Sequence, residues 1–500
     1  MLKIHPQNNR IFEFRGESRL LVCATEHYGA VLNRRFRFER YLADAKEKNQ
    51  TLTRLFVLFR ELQSAINPYS TCKPESTDYL SPFRRLDWDA DPDTKALDGE
   101  PKYDLAQWND EFFNRLHGFL SLASEYGVIV EVVLFSNTYS PSVWELNPLN
   151  TCNNINDVEK IEWPDYLTTR HPNLLSWQKR HAAKIVTETN RYDNIFYEIC
   201  NEPGGAAPGA AENPPVDEVD AWQREIARVI RQTEEGLPNT HLIAGQQAFC
   251  YEPWEQGADL AFDDYPVDIV NIHPLPNSTY RGASYDLGTF MSKGLHLRAF
   301  RDYCQATMAE SKPLNMDEDN IASEYRDFDG WTIHRKRAWV ALMCLCHYDY
   351  IDFTIYPYCE TGNEDSQRGI RSWMKYLSEF IHGCDLASLR PAPDWLKEQP
   401  ENTLGVVLAH EAVEYIIYLA DEREITEPGA GEKIEGEVSF DLPAGTYTVS
   451  IFSPQTGLYS PGVVIEGGAD RRFSLPGFYH DCVVAVRVRV NANLDRTIGD

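Results

Sequence analysis

A (β/α)8 barrel followed by a small all-β sandwich is the architecture this chain predicts, and three observations predict it. Through the first 390 residues, short apolar runs alternate with amphipathic helical stretches, the rhythm of parallel βα units. Eight strands can be counted, enough to close a barrel. Beyond position 390 the helical period disappears and short β-type runs separated by Gly, Pro and Asp turns replace it. The expected division is a barrel over 1–390, with a hairpin or cap at 1–18, and a β-sandwich over 391–500.

The first strand is R-L-L-V-C-A at 19–24, a continuous apolar run of the kind a sheet buried on both faces requires. A helix over 36–48 leads to the second strand at 52–59, L-T-R-L-F-V-L-F. A helix over 108–126 leads to V-I-V-E-V-V-L-F at 128–135, and a helix over 174–190 leads to the fourth strand, N-I-F-Y-E-I-C-N-E-P-G at 194–204. The helix over 219–232 precedes H-L-I-A-G at 241–245, and D-I-V-N-I-H follows at 268–273. A helix over 295–307 precedes P-L-N-M-D-E at 313–318. The last pair is a helix over 331–347 and I-D-F-T-I-Y at 351–356. The Gly/Ala/Pro-rich text at 204–215 reads as a long loop over the tip of the fourth strand. The proline-rich text at 390–402 reads as a linker or edge crossing.

Charge narrows the function. Lys+Arg number 48 against 76 Asp+Glu, a formal net charge of -28. Such a surface repels phosphate backbones and anionic lipid, so neither nucleic acid nor membrane is expected as a partner. A neutral sugar is indifferent to it. The sequence begins without an apolar run of signal-peptide length, and its 11 cysteines are scattered, several inside apolar runs. Both features point to reduced thiols in a cytoplasmic protein. No cysteine spacing suits a metal, and no metal or organic cofactor is expected. Nothing in the text reads out oligomeric state.

In such a barrel the chemistry lies where strands end. Glu202 ends the fourth strand and Glu318 the seventh. Two carboxylates facing each other across a barrel mouth suit cleavage of a glycosidic bond. One protonates the leaving oxygen, while the other attacks the sugar carbon or activates a water. The segment 194–203, N-I-F-Y-E-I-C-N-E-P, resembles the strand-four signature of the clan A glycoside hydrolases, specifically the cellulase-like, family 5-type retaining enzymes. K-P-L-N-M-D-E follows in the right order on the right strand, and E-H-Y-G-A-V at 26–31 and Y-D-L-A-Q-W-N at 103–109 extend the resemblance.

That resemblance implies a retaining β-glycosidase acting on β-linked oligosaccharides or glycosides. Glu202 is implied as acid/base and Glu318 as nucleophile, with Asn201 bonding the neighbouring sugar hydroxyl. Arg54 matches an arginine that pairs with the nucleophile, and His273 stands where the clan often places a His or Tyr near it. His27 and Tyr28, ending the first strand, are sugar contacts or packing residues. Asn137, Tyr139 and Trp144 follow the third strand and either stack on sugar rings or staple their loop. The clan's tryptophan ending strand eight is replaced by Y-P-Y, so Tyr356 or Tyr358 is expected to serve as platform, or another loop supplies it. Glu131 and Glu198 lie inside strands and read as interior carboxylates paired with a basic residue. A transglycosylase using the same pair, or a carbohydrate-binding barrel without turnover, remains an alternative.

Overall fold

The computed structural model describes residues 1–61, 70–87, 95–204, 213–251 and 254–489. Seven parallel strands form one curled sheet in the order His347–Tyr348, Leu314–Met316, Ile269–Ile272, Ile243–Gly245, Ile195–Asn201, Ile129–Ser136 and Leu52–Phe56. The ring is closed by residues 20–25. Val22 bridges Tyr348 and Thr25 bridges Ile351 in parallel, and on the other side Thr51 N–H donates to the Val22 carbonyl at 3.2 Å. The first barrel position is therefore filled by an irregular segment rather than a regular strand.

Two expectations change here. The eighth strand is the pair His347–Tyr348, not 351–356, which turns back on itself through a Tyr356–Cys359 bridge. The preceding helix correspondingly ends at Met343, and a further helix, Ile370–His382, completes the outer ring. Most of the loop read at 204–215 lies outside the described residues.

The helices form where apolar residues recur at helical spacing. Asp110–Tyr126 buries Phe112, Leu116, Phe119, Leu120 and Ala123 along one stripe. It starts at Asn109, whose side chain accepts from Glu111 N–H, and stops at Gly127 with φ 75°. Each large side chain in that stripe contributes about 1.5–3 kcal/mol through burial. At the opposite end of the barrel from the site, the three-stranded N-terminal sheet lays Phe12 and Phe14 against Leu52, Ile129, Phe196 and Ile269, each the first or second residue of its strand.

Among the described residues from 390 to 489 the regular elements are all strands. One antiparallel sheet runs Arg390–Pro391, Thr403–His410, Glu414–Asp421, Asp481–Val488, Ile434–Phe452 and Leu396–Glu398, with Val463–Phe478 also paired to Ile434–Phe452. The proline-rich text at 390–402 thus supplies an edge strand at each side of this sheet rather than a free linker. The strand Glu414–Asp421 is buried on both faces. Tyr415, Ile417 and Leu419 point into the β core, whereas Ile416, Tyr418 and Ala420 join the barrel's apolar cluster. Tyr418 stacks on Trp339 of the helix Phe328–Met343 at 5.3 Å. No helix among the described residues is long and apolar enough to cross a membrane.

Candidate active site

The upper barrel interior is filled with polar groups instead of the usual branched apolar ones. Arg54, Glu131, Glu198, Asn271, Asn315, Asp317 and Asp349 are all without solvent exposure. Arg54 is the hub. Its guanidinium lies against five carboxylates: Glu198, Glu318 at 2.9 Å, Asp317 at 3.1 Å, Glu131 at 3.5 Å and Asp349 at 4.0 Å. Its Nη2 also donates to Asn201 Oδ1 at 3.0 Å. Tyr28 lies beneath it, ring 4.4 Å from the guanidinium carbon and hydroxyl donating to Asp349 at 2.9 Å.

One cation cannot neutralise five acids, so some of those acids hold protons. Burial, reinforced by Asp317 and Glu198, pushes Glu131 well above the carboxylate range. Burial raises Glu198 to about 7 despite Arg54, and Asp349 to about 6. Glu131 Oε2, Glu198 Oε1 and Asp317 Oδ1 accept no hydrogen bond from the described residues. One carboxylate oxygen from each of these three residues lies within 4.8 Å of the other two.

Above this layer sit Glu202 and Glu318, with side-chain exposures of 16% and 8%. Both have left-handed backbone, φ 49°, which non-glycine residues adopt at a cost of about 1–2 kcal/mol. Neighbouring structure holds them there. Pro203 O accepts from Phe249 N–H at 3.1 Å, and Gly204 lies so close that a Cβ would meet the Phe249 carbonyl at 2.5 Å. That contact is a reason for glycine after N-E-P. An oxygen of Glu202, an oxygen of Glu318 and a ring nitrogen of His273 lie within 4.8 Å of one another.

Each carboxylate has its own partners. Glu318 accepts from Arg54 and, on Oε1, from Asn320 Nδ2 at 3.1 Å. Glu202 Oε1 is 3.1 Å from His273 Nδ1, and His273 Nε2 is 3.3 Å from Asp317. His273 therefore hydrogen-bonds Glu202, and its ring also lies within 4.8 Å of an oxygen of Glu318, the glutamate beside which the sequence placed it. Burial wins at Glu318, whose carboxyl is pushed up to about 7 against the pull of His273 and Arg54. At Glu202 burial is outweighed by His273, the Tyr139 hydroxyl and Arg54, and the carboxyl lies below its usual range. Burial opposes the charge on His273 too, but Asp317 and Glu202 hold the imidazole well above its ordinary value. At rest the proton nearest Glu202 is therefore on His273.

The other expected residues divide. Asn201 Nδ2 donates to the Tyr139 hydroxyl at 2.8 Å, and Asn137 Nδ2 donates to the Glu202 carbonyl at 3.2 Å. His27 bonds Ser70 at 2.6 Å, and burial lowers its imidazole to about 4, against the pull of Glu202. Tyr28 is fully buried and supports Arg54, so it is a packing residue rather than a sugar contact. Trp144 packs against Tyr166 with ring centroids 5.3 Å apart. Tyr356 lines a cleft of about 220 Å³ with Ser70, Lys73 and Tyr358. Asn320 and Asp349 were not singled out in the sequence, and nothing but their closeness to the ends of strands seven and eight would have flagged them. Tyr139 was noted only as a loop aromatic; its hydroxyl accepts from Asn201 and favours the ionised form of Glu202.

The sequence pattern of the cellulase family, glycosyl hydrolase family 5, matches residues 89–338, half of the chain. An endoglucanase from Clostridium saccharobutylicum is 31% identical over 113 residues, 22% of each protein's length. The chain thus spans about a fifth of that curated relative. Among solved structures, a glycoside hydrolase family 5 protein from Bacteroides vulgatus superposes with a TM-score of 0.61 at 12% identity, covering 97% of this chain and 93% of that one. A second, described as a glycoside hydrolase, gives 0.59 at 12% identity over 97% and 96%. At that identity the structural likeness speaks for the shared fold, whereas the family pattern speaks for kinship. The chain belongs to glycosyl hydrolase family 5.

Proposed function

We propose that the protein is a retaining β-glycosidase in which Glu318 is the nucleophile and Glu202 the acid/base. The observation that carries this reading is the closeness of the two carboxyl groups, with oxygens within 4.8 Å. Retaining enzymes hold their pair about 5–5.5 Å apart, whereas inverting ones leave about 6.5–9.5 Å for a water.

The geometry supports a double displacement. Glu318 Oε attacks the anomeric carbon while the bond from that carbon to the leaving oxygen breaks, and the leaving oxygen takes a proton from Glu202. Arg54 and Asn320 hold the attacking carboxylate. His273 lies in contact with Glu202 and supplies its proton across 3.1 Å. Water then attacks the anomeric carbon, Glu202 accepts its proton, and the bond to Glu318 breaks. Asn201, between Arg54 and Tyr139, is the donor for the hydroxyl beside the reacting carbon. Tyr356 and Tyr358 offer rings at the mouth.

The domains we infer are a catalytic barrel over 1–390 and a β-sandwich over 391–500, the latter a brace against the helix Phe328–Met343. The substrate class is a β-linked oligosaccharide or glycoside. A panel of aryl α- and β-glycosides, assayed with wild type and Glu318→Gln, tests the reading. Turnover of a β-glycoside that disappears in the variant supports it. Equal turnover by both removes Glu318 as nucleophile. Sugar affinity without turnover in the wild type replaces hydrolysis with binding.

A further inference from the structure

The helix Phe328–Met343 carries three consecutive cations, Arg335, Lys336 and Arg337, all buried. The first two reach outward into the β domain. Arg335 donates to both oxygens of Asp481, at 2.9 and 3.0 Å, and Lys336 donates to the Asp421 carbonyl at 2.7 Å. Arg337 points the other way. Its Nε and Nη2 donate to the two oxygens of Asp319 at 2.6 and 3.1 Å, and its Nη1 donates to the Leu295 carbonyl at 3.1 Å. Asp319 is the residue after Glu318. Its carboxylate also accepts from the Tyr348 hydroxyl at 2.9 Å, and its N–H donates to the Asp349 carbonyl at 3.0 Å.

The β domain reaches the same point by a second route. Glu424, just beyond the strand Glu414–Asp421, accepts from the N–H of Leu295 and, at 2.9 Å, from that of His296. It thereby fixes the peptide whose carbonyl orients Arg337.

We propose that the C-terminal β domain is a working part of the catalytic site: Glu424 sets Leu295, Leu295 and the helix set Arg337, and Arg337 with Asp319 holds the left-handed turn that presents Glu318. Arg337, Asp319 and Glu424 are positioning residues. The inference rests on Glu318 being the nucleophile. Physically, a turn with φ 49° at Glu318 relaxes unless its flanks are pinned. Asp319 is pinned on its carboxylate by two side chains and on its amide by a neighbouring strand end.

The test compares Glu424→Ala and Arg337→Lys with Asp481→Asn, a control that loosens the domain contact without touching the Leu295 route. Active sites are counted by burst titration, so that unfolded protein does not enter kcat. Hydrogen exchange of the peptide spanning 316–320 is measured on the same samples. Glu424→Ala is expected to lower kcat about tenfold or more at unchanged KM and to speed exchange at 316–320, because small displacements of a reacting group are costly. Asp481→Asn is expected to lower Tm while kcat per active site and that exchange stay at wild-type values. Wild-type kcat and wild-type exchange at 316–320 in both Glu424→Ala and Arg337→Lys would overturn the proposal. If the wild type turns over no glycoside, the exchange comparison still decides the coupling, and only the functional reading falls.

Discussion

Two buried ion clusters lie on either side of the seventh strand, and they are built differently. Inside the barrel, one guanidinium faces five carboxylates, and several oxygens there accept no bond from the described residues. Around the helix Phe328–Met343, Arg335 meets Asp481 of the C-terminal sheet and Arg337 meets Asp319 on the barrel side, one cation for each of these acids, with two hydrogen bonds in each pair. The second pattern is how a fold makes buried charge tolerable. The first keeps surplus acid in low dielectric, where protons stay mobile near neutral pH, which acid–base chemistry requires. Imbalance marks the site and balance marks its support.

That contrast can be broken experimentally. The largest effect expected is from Glu318→Gln, which should lower kcat about 10⁴-fold or more while leaving Tm near wild type. A stable variant with ordinary turnover would empty the central cluster of its function. Next is Asp481→Asn. Leaving Arg335 buried without its acid should cost about 3–5 kcal/mol in urea unfolding, with kcat per active site unchanged. Loss of activity without loss of stability there would erase the distinction between the clusters.

Tyr139→Phe should reduce kcat/KM about tenfold or more, since a hydrogen bond to a charged group is worth about 1.5–3 kcal/mol. That hydroxyl favours ionised Glu202, so removing it should also move the Glu202 pKa upward in a carboxyl titration of the free enzyme. A downward shift would contradict the assigned contact. For the wild type, Glu318 attacks only when ionised. The acid limb of kcat/KM should therefore lie near 7, with activity rising as pH rises through it.

The smallest effect expected is from Glu198→Gln. Glu198 is raised from the usual 4.5 to about 7 in the folded protein, so its contribution to stability is fully present below about 4.5 and is lost as pH rises through about 7. The glutamine variant should match wild type at pH 5 and show a flatter fall in Tm between pH 5 and 8. An unchanged slope would mean that Glu198 is charged throughout.

How much of this was legible depends on the residue. The strand before Glu202, Ile195–Asn201, is a seven-residue run, and a carboxylate at the end of such a run is visible in one sequence; the strand before Glu318 is only Leu314–Met316, and its glutamate was legible through the order of K-P-L-N-M-D-E after N-E-P. The eighth strand is not, because His347–Tyr348 is only a pair, flanked by a helix that ends earlier than its apolar text suggests. Tyr28 and Trp144 read equally as sugar contacts or packing residues, because aromatics near strand ends serve as either. Their burial comes from contacts with Arg54 and Tyr166, which lie far away in sequence. The run H-R-K-R at 334–337 would normally mark the wet side of a barrel helix. Arg335 and Lys336 are dry because the C-terminal sheet covers them, and His334 and Arg337 because they turn to Tyr348 and Asp319; no local pattern announces contacts so distant in sequence.

The most direct test of the central claim is to trap the covalent intermediate. A fluorinated, activated β-glycoside that stalls at the glycosyl-enzyme, followed by peptide mass mapping, locates the ester. The account predicts one sugar per chain, on the peptide containing Glu318, and none in Glu318→Gln. Labelling of Glu202 instead, or turnover with inverted product and no label at all, would contradict it.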